Sequence, residues 1–457
     1  MKAIKQEIYK AALGNQGKIM EHFKQLKEWQ WLSEREVTAL QQKRLTNLLL
    51  HAGQHVPYYR KLLGDAGVVR HSRVDFSRFN RIEMLDKDRI RANFQELKSD
   101  DLERRKWYVN TSGGSTGVPV GFIQDQDYSH WSLAVKFLDD RWTGRDMCDK
   151  QVLLWGSERD LLVGKMTWKT NIARWVRNEK HLNSFRMSEE KMRKYVETIN
   201  QFKPEQILAY VESIHQLALF VERCQLDVYR PKAIMTSAGT LFASMRTKIE
   251  RVFGAPVFNR YGSREVGDIA CECEKHEGLH VSSPTHLVEI VRDNGEPVAP
   301  GETGEIVVTL LTNYAMPIIR YRIGDMGSWA KGPCSCGRSY PLIKELTGRV
   351  TDTFVTGTGT QVHGEYFTHL FYFQSWVKKF QVIQEQHDQV RVLLVPSDPN
   401  SLHKNQYESS LSDIRSKIQL VMGEECRVYF EMREEIMTSP SGKYRYTISN
   451  VASRQLK

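Results

Sequence analysis

The chain of 457 residues has no run approaching the roughly 20 apolar residues of a membrane-spanning helix. Its first 20 residues carry four lysines but no apolar core long enough for a signal peptide. Internal repeats of solenoid or propeller period and low-complexity tracts are also absent from the sequence. These absences argue against membrane-spanning, secreted and repeat proteins and predict a cytoplasmic location.

Cysteine is scarce, with seven residues in the whole chain. Because the cytosol keeps thiols reduced, seven cysteines in so long a chain do not predict a disulfide scaffold. Four of the seven form two short pairs, Cys271-Glu-Cys273 and Cys334-Ser-Cys336. These pairs need a different explanation.

Positive charge is in small excess, because 65 Lys and Arg residues against 55 Asp and Glu residues give a formal net charge of +10. The basic residues occur in small groups, such as Arg104, Arg105 and Lys106, and form no long run with interleaved aromatics. A nucleic acid, a membrane surface or a phosphorylated substrate would each account for the excess. A solvated basic surface is the favoured interpretation, so no nucleic-acid partner is expected.

The sequence does contain enough apolar residues for large cores, since 40% of its residues are hydrophobic and 26% are charged. The first hundred residues are predicted to be helical. Leu45, Leu48, Leu49 and Ala52 have the spacing of one buried helical face, and this helix should end before Pro57.

A second helix is predicted around residues 86–97. From about residue 107 to 346, strand-like runs such as 233–236 alternate with amphipathic helical stretches such as 189–202. This alternation predicts an α/β fold of layered sheets and helices. The pattern then restarts as a compact unit, so we predict a large N-terminal domain, 1–347, and a small α+β C-terminal domain, 348–457.

A loop rich in glycine and hydroxyl residues, Asn110-Thr-Ser-Gly-Gly-Ser-Thr-Gly-Val-Pro119, follows a short strand-like run. Such a loop offers many backbone N–H and side-chain O–H donors, which can surround a polyphosphate. It is not a Walker A loop, because Val118 stands where that motif has lysine. Taken alone, a loop of this composition is more often a surface turn.

Further segments follow the loop in a fixed order: Tyr261-Gly-Ser-Arg-Glu265, Tyr321-Arg-Ile-Gly-Asp325, Gly348-Arg349 and Ser441-Gly-Lys443. Together with the loop they resemble the AMP-forming adenylating superfamily of acyl-CoA synthetases, adenylation domains and luciferases. The resemblance spans nearly the whole chain. Five motifs in order are jointly specific, whereas any one of them alone is weak evidence.

The predicted helical head, about residues 1–106, indicates which members of the superfamily the chain resembles most. It carries Val56-Pro-Tyr-Tyr-Arg60, Ala66-Gly67-Val68 and Leu85-Asp-Lys-Asp-Arg-Ile90. With these segments the chain is most similar to phenylacetate-CoA ligase and the related capsular-polysaccharide biosynthesis proteins.

The resemblance implies a set of ATP-binding residues. The loop would hold the β- and γ-phosphates, Tyr261 would lie beside the adenine, and Asp325 would accept both ribose hydroxyls. The implied nucleotide-binding residues are Thr111, Ser112, Gly113, Gly114, Ser115, Thr116, Gly117, Ala238, Gly239, Tyr261, Gly262 and Asp325.

Three residues are implied to act in catalysis. Glu265 matches the carboxylate that holds a magnesium ion, which shields the phosphate charges from the attacking carboxylate. Arg349 would assist at the ribose or the phosphate. Lys443 would bridge the substrate carboxylate and the α-phosphate, on a C-terminal domain that in this superfamily swings after adenylation.

The two cysteine pairs predict a zinc-binding insert between residues 271 and 336. Soft thiolates and imidazole suit tetrahedral zinc, and some proteins similar to this chain carry such a structural ion. The favoured ligands are Cys273, His276, Cys334 and Cys336, with Cys271 or His280 as the competing ligand. Four protein ligands would leave no open position, so the zinc is expected to be structural.

The resemblance implies an ATP-dependent, AMP-forming acid–thiol ligase that converts a carboxylic acid into an acyl-adenylate and then a coenzyme A thioester. Transfer to an amine or a carrier, in polysaccharide or secondary metabolite biosynthesis, is the near alternative. A zinc-ribbon nucleic-acid binder is the distant one. The expected cofactors are ATP, Mg²⁺, structural Zn²⁺ and coenzyme A, and the expected partners are a small carboxylic acid and, as an assembly to be tested, a second copy of the chain.

Overall fold

The structure is a computed structural model of the full chain. It describes residues 2–14, 18–111, 120–155, 168–184, 187, 189–348, 353–358, 361–363, 367, 370–371, 374, 376–396, 407–436 and 447–451. Among them no helix is both long and apolar enough to cross a membrane.

The α-helices of the described residues are, in chain order, α1 (Lys2–Gly14), α2 (Ile19–Trp29), α3 (Glu34–His55), α4 (Pro57–Asp65), α5 (Lys87–Ala92), α6 (Gln126–Trp142), α7 (Trp168–Arg177), α8 (Glu189–Phe202), α9 (Val211–Arg223), α10 (Ala243–Phe253) and α11 (Glu408–Met422). Short 3₁₀ helices lie at Phe76–Arg81 and Leu102–Arg104.

An eleven-stranded sheet is the largest element of the fold, with the strand order β12-β13-β14-β15-β11-β10-β9-β8-β7-β5-β6. Its strands are β5 (Gln151–Trp155), β6 (Glu179–Asn183), β7 (Gln206–Tyr210), β8 (Ala233–Ser237), β9 (Val257–Ser263), β10 (Gly267–Glu272), β11 (Leu279–Val281), β12 (His286–Val291), β13 (Thr303–Leu310), β14 (Tyr321–Trp329) and β15 (Leu342–Gly348). The predicted α/β fold is confirmed.

The remaining strands form a four-stranded sheet and three two-stranded ribbons. The ribbons are β1 (Val69–Arg70) with β2 (Arg73–Val74), β3 (Trp107–Thr111) with β4 (Gly121–Asp125), and β16 (Thr353–Val355) with β17 (Gln361–His363). The four-stranded sheet has the order β20 (Arg427–Met432), β19 (Gln389–Pro396), β18 (Val377–Gln386) and β21 (Thr447–Ser449).

The eleven-stranded sheet has a parallel part and an antiparallel part. Strands β6, β5, β7, β8 and β9 pair in parallel, whereas β9, β10, β11 and β15 pair antiparallel. Helices α8, α9 and α10 pack on the parallel part around a core of Val152, Ile207, Ile234 and Phe253. The carboxyl ends of the parallel strands therefore meet at one edge of the sheet.

Local sequence signals explain where the long helix α3 begins and ends. Ser33 and Glu36 form a capping box, in which the Ser33 hydroxyl accepts from the Glu36 N–H and the Glu36 carboxylate accepts from the Ser33 N–H. The helix ends at His55, before Pro57, as predicted. The predicted apolar face, Leu45 to Ala52, is buried.

The predicted helix over residues 86–97 is shorter in the structure, where α5 ends at Ala92. Asn93 adopts φ −116° and ψ 25°, outside the helical range, and its side-chain amide donates to the Arg89 carbonyl at 2.9 Å. A short polar side chain that binds a carbonyl one turn back stabilises a helix end, so the amphipathic pattern beyond Ala92 does not extend the helix.

The head is joined to the large sheet by main-chain hydrogen bonds and by a buried arginine. Leu85 N–H donates to the Arg320 carbonyl at 2.9 Å, and Arg322 N–H donates to the Leu85 carbonyl at 2.8 Å. The Arg320 guanidinium, which is 1% exposed, donates to the Asn80 and Ile82 carbonyls and pairs with Glu289. The bonds of Asn80, Ile82 and Leu85 connect the head to Arg320 and Arg322 at the start of β14, and the Glu289 pair connects Arg320 to β12.

The contacts divide the chain into two compact units. The first comprises residues 1–112, 120–323 and 327–345, and the second comprises residues 113–119, 324–326 and 346–457. In the second unit, α11 packs against β20 of the four-stranded sheet, with Ile414 and Ile418 buried. The sequence analysis placed this boundary between residues 347 and 348.

Candidate functional site

Several of the predicted nucleotide-binding residues lie where the parallel strands end. Ala238 and Gly239 directly follow β8, while Tyr261 and Gly262 lie near the end of β9. Ala238 has φ 55°, in the left-handed region, so the chain turns sharply as it leaves the strand. Ligands of open α/β sheets bind at such carboxyl ends.

Gly262 is required by the close approach of two strands. A Cβ atom at this position would lie 2.4 Å from the Gly267 carbonyl oxygen, across the turn between β9 and β10. No side chain can occupy that space without moving the backbone. Gly262 therefore fixes the turn that carries Glu265.

Glu265 is buried, with 5% of its surface exposed. The Tyr321 hydroxyl donates to its Oε1 at 3.3 Å, and the Lys87 ammonium lies 3.6 Å from the same oxygen. A buried carboxylate needs a compensating charge or hydrogen bond, and here it has both.

Lys87 is a residue of this site that the sequence analysis did not assign. It is the first residue of α5, and Asp86 caps that helix by accepting from the Arg89 N–H at 2.8 Å. The parallel bridge between Leu85 and Tyr321 holds the start of α5 beside β14. This lysine belongs to the segment Leu85-Asp-Lys-Asp-Arg-Ile90. The segment supported the resemblance, but no role was assigned to its residues.

The ends of the predicted phosphate loop are anchored next to Glu265. Thr111, at the end of β3, pairs with Gly121 at the start of β4, so the two ends of the loop are neighbours. The Asn110 amide donates to the Gln124 side chain at 3.1 Å, and the Gln124 amide donates to the Arg264 carbonyl at 2.9 Å. Residues 112–117 of the predicted set lie outside the described residues.

Three predicted residues of the nucleotide site remain, and only one of them lies within the described residues. Asp325 lies in β14 and is partly buried. Arg349 and Lys443 lie outside the described residues, and their roles stay predictions.

Three thiols and one imidazole form a compact cluster near the end of β10. The side-chain donor atoms of Cys273, His280, Cys334 and Cys336 all lie within 4.8 Å of one another. The Cys273 and Cys334 sulfurs are 3.6 Å apart, and Cys336 Sγ is 3.3 Å from His280 Nε2. Zinc–sulfur bonds of about 2.3 Å in a tetrahedron give sulfur–sulfur separations of about 3.8 Å, so the cluster fits a zinc ion.

The surroundings of His280 favour its metal-binding form, whereas burial raises the pKa of the Cys273 and Cys334 thiols. Burial lowers the pKa of His280 to about 4, so its imidazole is neutral at pH 7. Its Nδ1 lies 3.1 Å from the Tyr340 carbonyl, which orients Nε2 towards the thiols. The Lys275 and Arg338 N–H groups donate to the sulfurs of Cys273 and Cys336.

The structure places His280, and not His276, with the three thiols. His276 Nδ1 lies 3.2 Å from the Glu272 carboxylate, and its ring packs on Phe258 with 4.6 Å between centroids. Cys271 is fully buried in an apolar core outside the cluster. The favoured fourth ligand is therefore corrected from His276 to the competing residue His280.

The comparisons with known proteins agree with the recognised motifs. The CapK C-terminal domain family matches residues 354–450. Protein CapK of Staphylococcus aureus is 24% identical over 94% of this chain and 92% of its own. Phenylacetate-coenzyme A ligase of Escherichia coli K12 is 28% identical over 70% of this chain and 72% of its own.

The chain is therefore similar in sequence to the phenylacetate-CoA ligases and to CapK. Among solved structures, 2-hydroxyisobutyryl-CoA ligase in the postadenylation state, in complex with R3-HIB-AMP, has the same fold. The TM-score is 0.61 at 18% identity, and the match covers 93% of this chain and 92% of that one. The resemblance to the phenylacetate-CoA ligases and to CapK, recognised from the sequence, is confirmed.

Proposed function

We propose that this protein activates a carboxylic acid with ATP, releases pyrophosphate, and transfers the acyl group from the acyl-adenylate to coenzyme A. The observation that carries the proposal is the buried Glu265, held beside Lys87 where β9 ends and next to the anchored ends of the 112–119 loop. The names of the relatives support both half-reactions, since they are coenzyme A ligases and one neighbour was crystallised with an adenylate.

The charges around Glu265 suit a phosphate-transfer site. A magnesium ion held by Glu265 would shield the phosphate oxygens while the substrate carboxylate attacks the α-phosphorus. The Lys87 ammonium, 3.6 Å from the same carboxylate oxygen, adds a second positive charge on the same side. Two cations around one carboxylate leave a net positive site, which attracts a polyphosphate.

The other contacts to ATP follow from the positions of the predicted residues. Ala238, Gly239 and Tyr261 lie at the carboxyl edge of the sheet, where an adenine ring can stack. We propose that Asp325 accepts the ribose hydroxyls and that Thr111 to Gly117 hold the phosphates. Arg349 and Lys443 complete the proposed set.

Transfer to an amine or a carrier is the second candidate. The specific observation in its favour is that residues 354–450 match the CapK C-terminal domain, and that CapK matches 94% of this chain whereas the coenzyme A ligase of Escherichia coli matches 70%. Product formation that depends on coenzyme A supports the first candidate, and product formation with an amine alone supports the second.

We also propose that Cys273, His280, Cys334 and Cys336 bind a structural zinc ion. The donor atoms are three thiol sulfurs and one imidazole nitrogen, and they lie close together. These four protein ligands would fill the tetrahedral coordination of the ion, so it would have no open position for catalysis. We propose a cytoplasmic location, where ATP and coenzyme A are available.

Glu265→Gln is the direct test of the proposed reaction. The amide keeps the size of the side chain but removes the charge, so magnesium binding weakens and acid-dependent release of pyrophosphate from ATP should fall by roughly 10²-fold. The measurement is pyrophosphate release across a panel of carboxylic acids. Glu302→Gln, an exposed carboxylate paired with Arg292, is the matched control and should retain full activity. Release of ADP and phosphate by the parent protein would overturn the proposal.

Lys87→Met should lower the rate of pyrophosphate release by roughly tenfold or more, because it removes a positive charge beside the phosphates. Lys87→Arg keeps the charge and should retain more activity than the methionine variant. Lys61→Met, an exposed lysine in the same head, should behave like the parent protein. Steady-state kinetics with varied ATP and Mg²⁺ measures the effect, and equal rates for Lys87→Met and Lys61→Met would exclude the role.

A further inference from the structure

The turn that carries Glu265 is held by buried side chains from two other elements. Its three residues are Arg264, Glu265 and Val266. The Gln124 amide nitrogen lies 2.9 Å from the Arg264 carbonyl oxygen and 3.4 Å from the Glu265 carbonyl oxygen. His286 Nε2 lies 2.8 Å from the Val266 carbonyl oxygen. Main-chain carbonyls at a turn need partners outside the strand pairing, and here the protein supplies them.

Gln124 also connects this turn to the strand before the predicted phosphate loop. It lies in β4 and is 1% exposed, and its side-chain oxygen accepts from the Asn110 amide at 3.1 Å. The Asn110 oxygen in turn accepts from the Thr111 N–H at 2.8 Å. Three hydrogen bonds therefore run in one direction from Thr111, where β3 ends, through two side-chain amides to the Arg264 carbonyl.

The position of Gln124 suits an uncharged side chain that has both a donor and an acceptor. Its nitrogen faces carbonyl oxygens, and its oxygen faces an N–H group. A glutamate would present a second acceptor to the carbonyls, and a methionine has no N–H to donate to them. Because the side chain is buried, bonds lost here are not simply replaced by bonds to water.

His286 connects the same turn to β12. Burial lowers the pKa of His286 to about 4, so the imidazole is neutral at pH 7 and carries a single N–H. A carbonyl oxygen can only accept, so this hydrogen is on Nε2 and points to the Val266 carbonyl. The turn is therefore fixed to the large sheet through His286 and to the β3–β4 ribbon through Gln124.

We propose that Gln124 is a positioning residue for the reaction proposed above. It holds the Glu265 turn at a fixed place relative to the end of β3, from which the predicted phosphate loop begins. It thereby sets where a magnesium ion on Glu265 meets the phosphates of ATP. The inference rests on the proposed function, because it takes Glu265 as the residue that holds this ion. Gln124 acts only through the main chain of the turn and through β3.

Gln124→Met tests the proposal, because methionine keeps the length of the side chain but cannot donate a hydrogen bond. Magnesium should raise the affinity of the parent protein for ATP, and this gain should fall by roughly tenfold or more in the variant, the scale for partners that orient metal ligands. The affinity for ATP without magnesium should stay close to that of the parent. Calorimetric titration of the full-length protein with ATP, with and without Mg²⁺, measures both quantities.

Gln206→Met is the matched control. Gln206 is a second buried glutamine, at the start of β7, and its amide donates to the Thr143 hydroxyl at 2.7 Å. The proposed site lies where the parallel strands end, so this control removes the same kind of buried hydrogen bond away from it. Thermal stability should fall in both variants, whereas the gain in ATP affinity from magnesium should fall only in Gln124→Met.

Asn110→Ala removes the next bond of the same chain and should lower the gain from magnesium in the same direction. The double variant with Gln124→Met should be no weaker than Gln124→Met alone, because both changes break one connection. Asn110 is only partly buried, so its variant decides the role of the connection even if Gln124→Met fails to fold.

Equal gains from magnesium in Gln124→Met, Gln206→Met and the parent would overturn the inference, as would additive effects of Asn110→Ala and Gln124→Met. Equal weakening of ATP binding with and without magnesium would also overturn it, because that result indicates general damage. A parent protein that binds ATP with magnesium but releases no pyrophosphate with any acid would contradict the proposed reaction. The comparison of binding gains would still decide the role of Gln124.

Discussion

Lys443→Ala should form little acyl-adenylate while binding ATP nearly as well as the parent protein. The reason is that the lysine is proposed to shield negative charge chiefly as the substrate carboxylate and the α-phosphate converge, and contacts made in the transition state act on kcat. The expected loss is on the order of 10²-fold or more, the scale for a preorganised transition-state contact. Single-turnover formation of the adenylate and equilibrium binding of ATP measure the two quantities separately.

A presynthesised acyl-adenylate separates the two half-reactions of this variant. If the lysine acts only in adenylation, Lys443→Ala should still convert added adenylate with coenzyme A. Lys417→Ala, at an exposed residue of α11 paired with Asp413, is a matched control in the same unit and should be fully active. Equal damage to both half-reactions would indicate a misfolded second unit, and undamaged adenylation would contradict the assignment.

Cys336→Ser and His280→Gln should each release the proposed zinc ion and strongly destabilise the first unit. The binding free energy of a structural zinc contributes directly to folding, so the loss should reach about 4–5 kcal/mol of unfolding free energy. The midpoint of thermal unfolding should fall by on the order of 10 °C. Zinc content per chain and thermal unfolding are the measurements, and the affinity of the remaining folded protein for ATP should be unchanged.

The same region provides matched controls for the zinc site. Cys271→Ser and His276→Gln change the same residue types close by, at positions that the structure places outside the cluster. Both variants should retain one zinc ion per chain, although Cys271→Ser should cost some stability because that thiol is buried. Zinc loss in His276→Gln together with retention in His280→Gln would restore the original ligand choice.

The fourth ligand shows where sequence reasoning stops. The composition and spacing of the two Cys-x-Cys pairs predict a metal site. They do not show which histidine is the fourth ligand, because two histidines lie within seven residues of Cys273. His276 is nearer in sequence, whereas the β10–β11 hairpin returns His280 to the thiols, with Leu279 opposite Glu272 and His280 opposite Cys271. Register across a hairpin depends on the turn and on burial, which spacing does not reveal.

Lys87 shows a second limit of prediction from the sequence, which is that residues far apart in the chain can meet in the fold. The motifs predicted Glu265 because the residues around it form a contiguous pattern, Tyr261-Gly-Ser-Arg-Glu265. Lys87 lies far from that pattern in sequence and reaches the carboxylate only because Leu85 bridges to Tyr321. By contrast, α3, β8 and α8 depend on local periodicity and caps, and the sequence predicts them well.

The attachment of the head to the sheet has a consequence for how the protein unfolds. Arg320 is a charge with almost no access to water, and its partners come both from the head and from β12. If the head detached alone, the guanidinium would lose the Asn80 and Ile82 carbonyls, and Glu265 would lose its lysine. Removing one partner from a buried charge pair is costly, typically about 3–5 kcal/mol. The head and the large sheet should therefore melt in one cooperative step, and a chain shortened to begin at residue 107 should not fold as an independent domain.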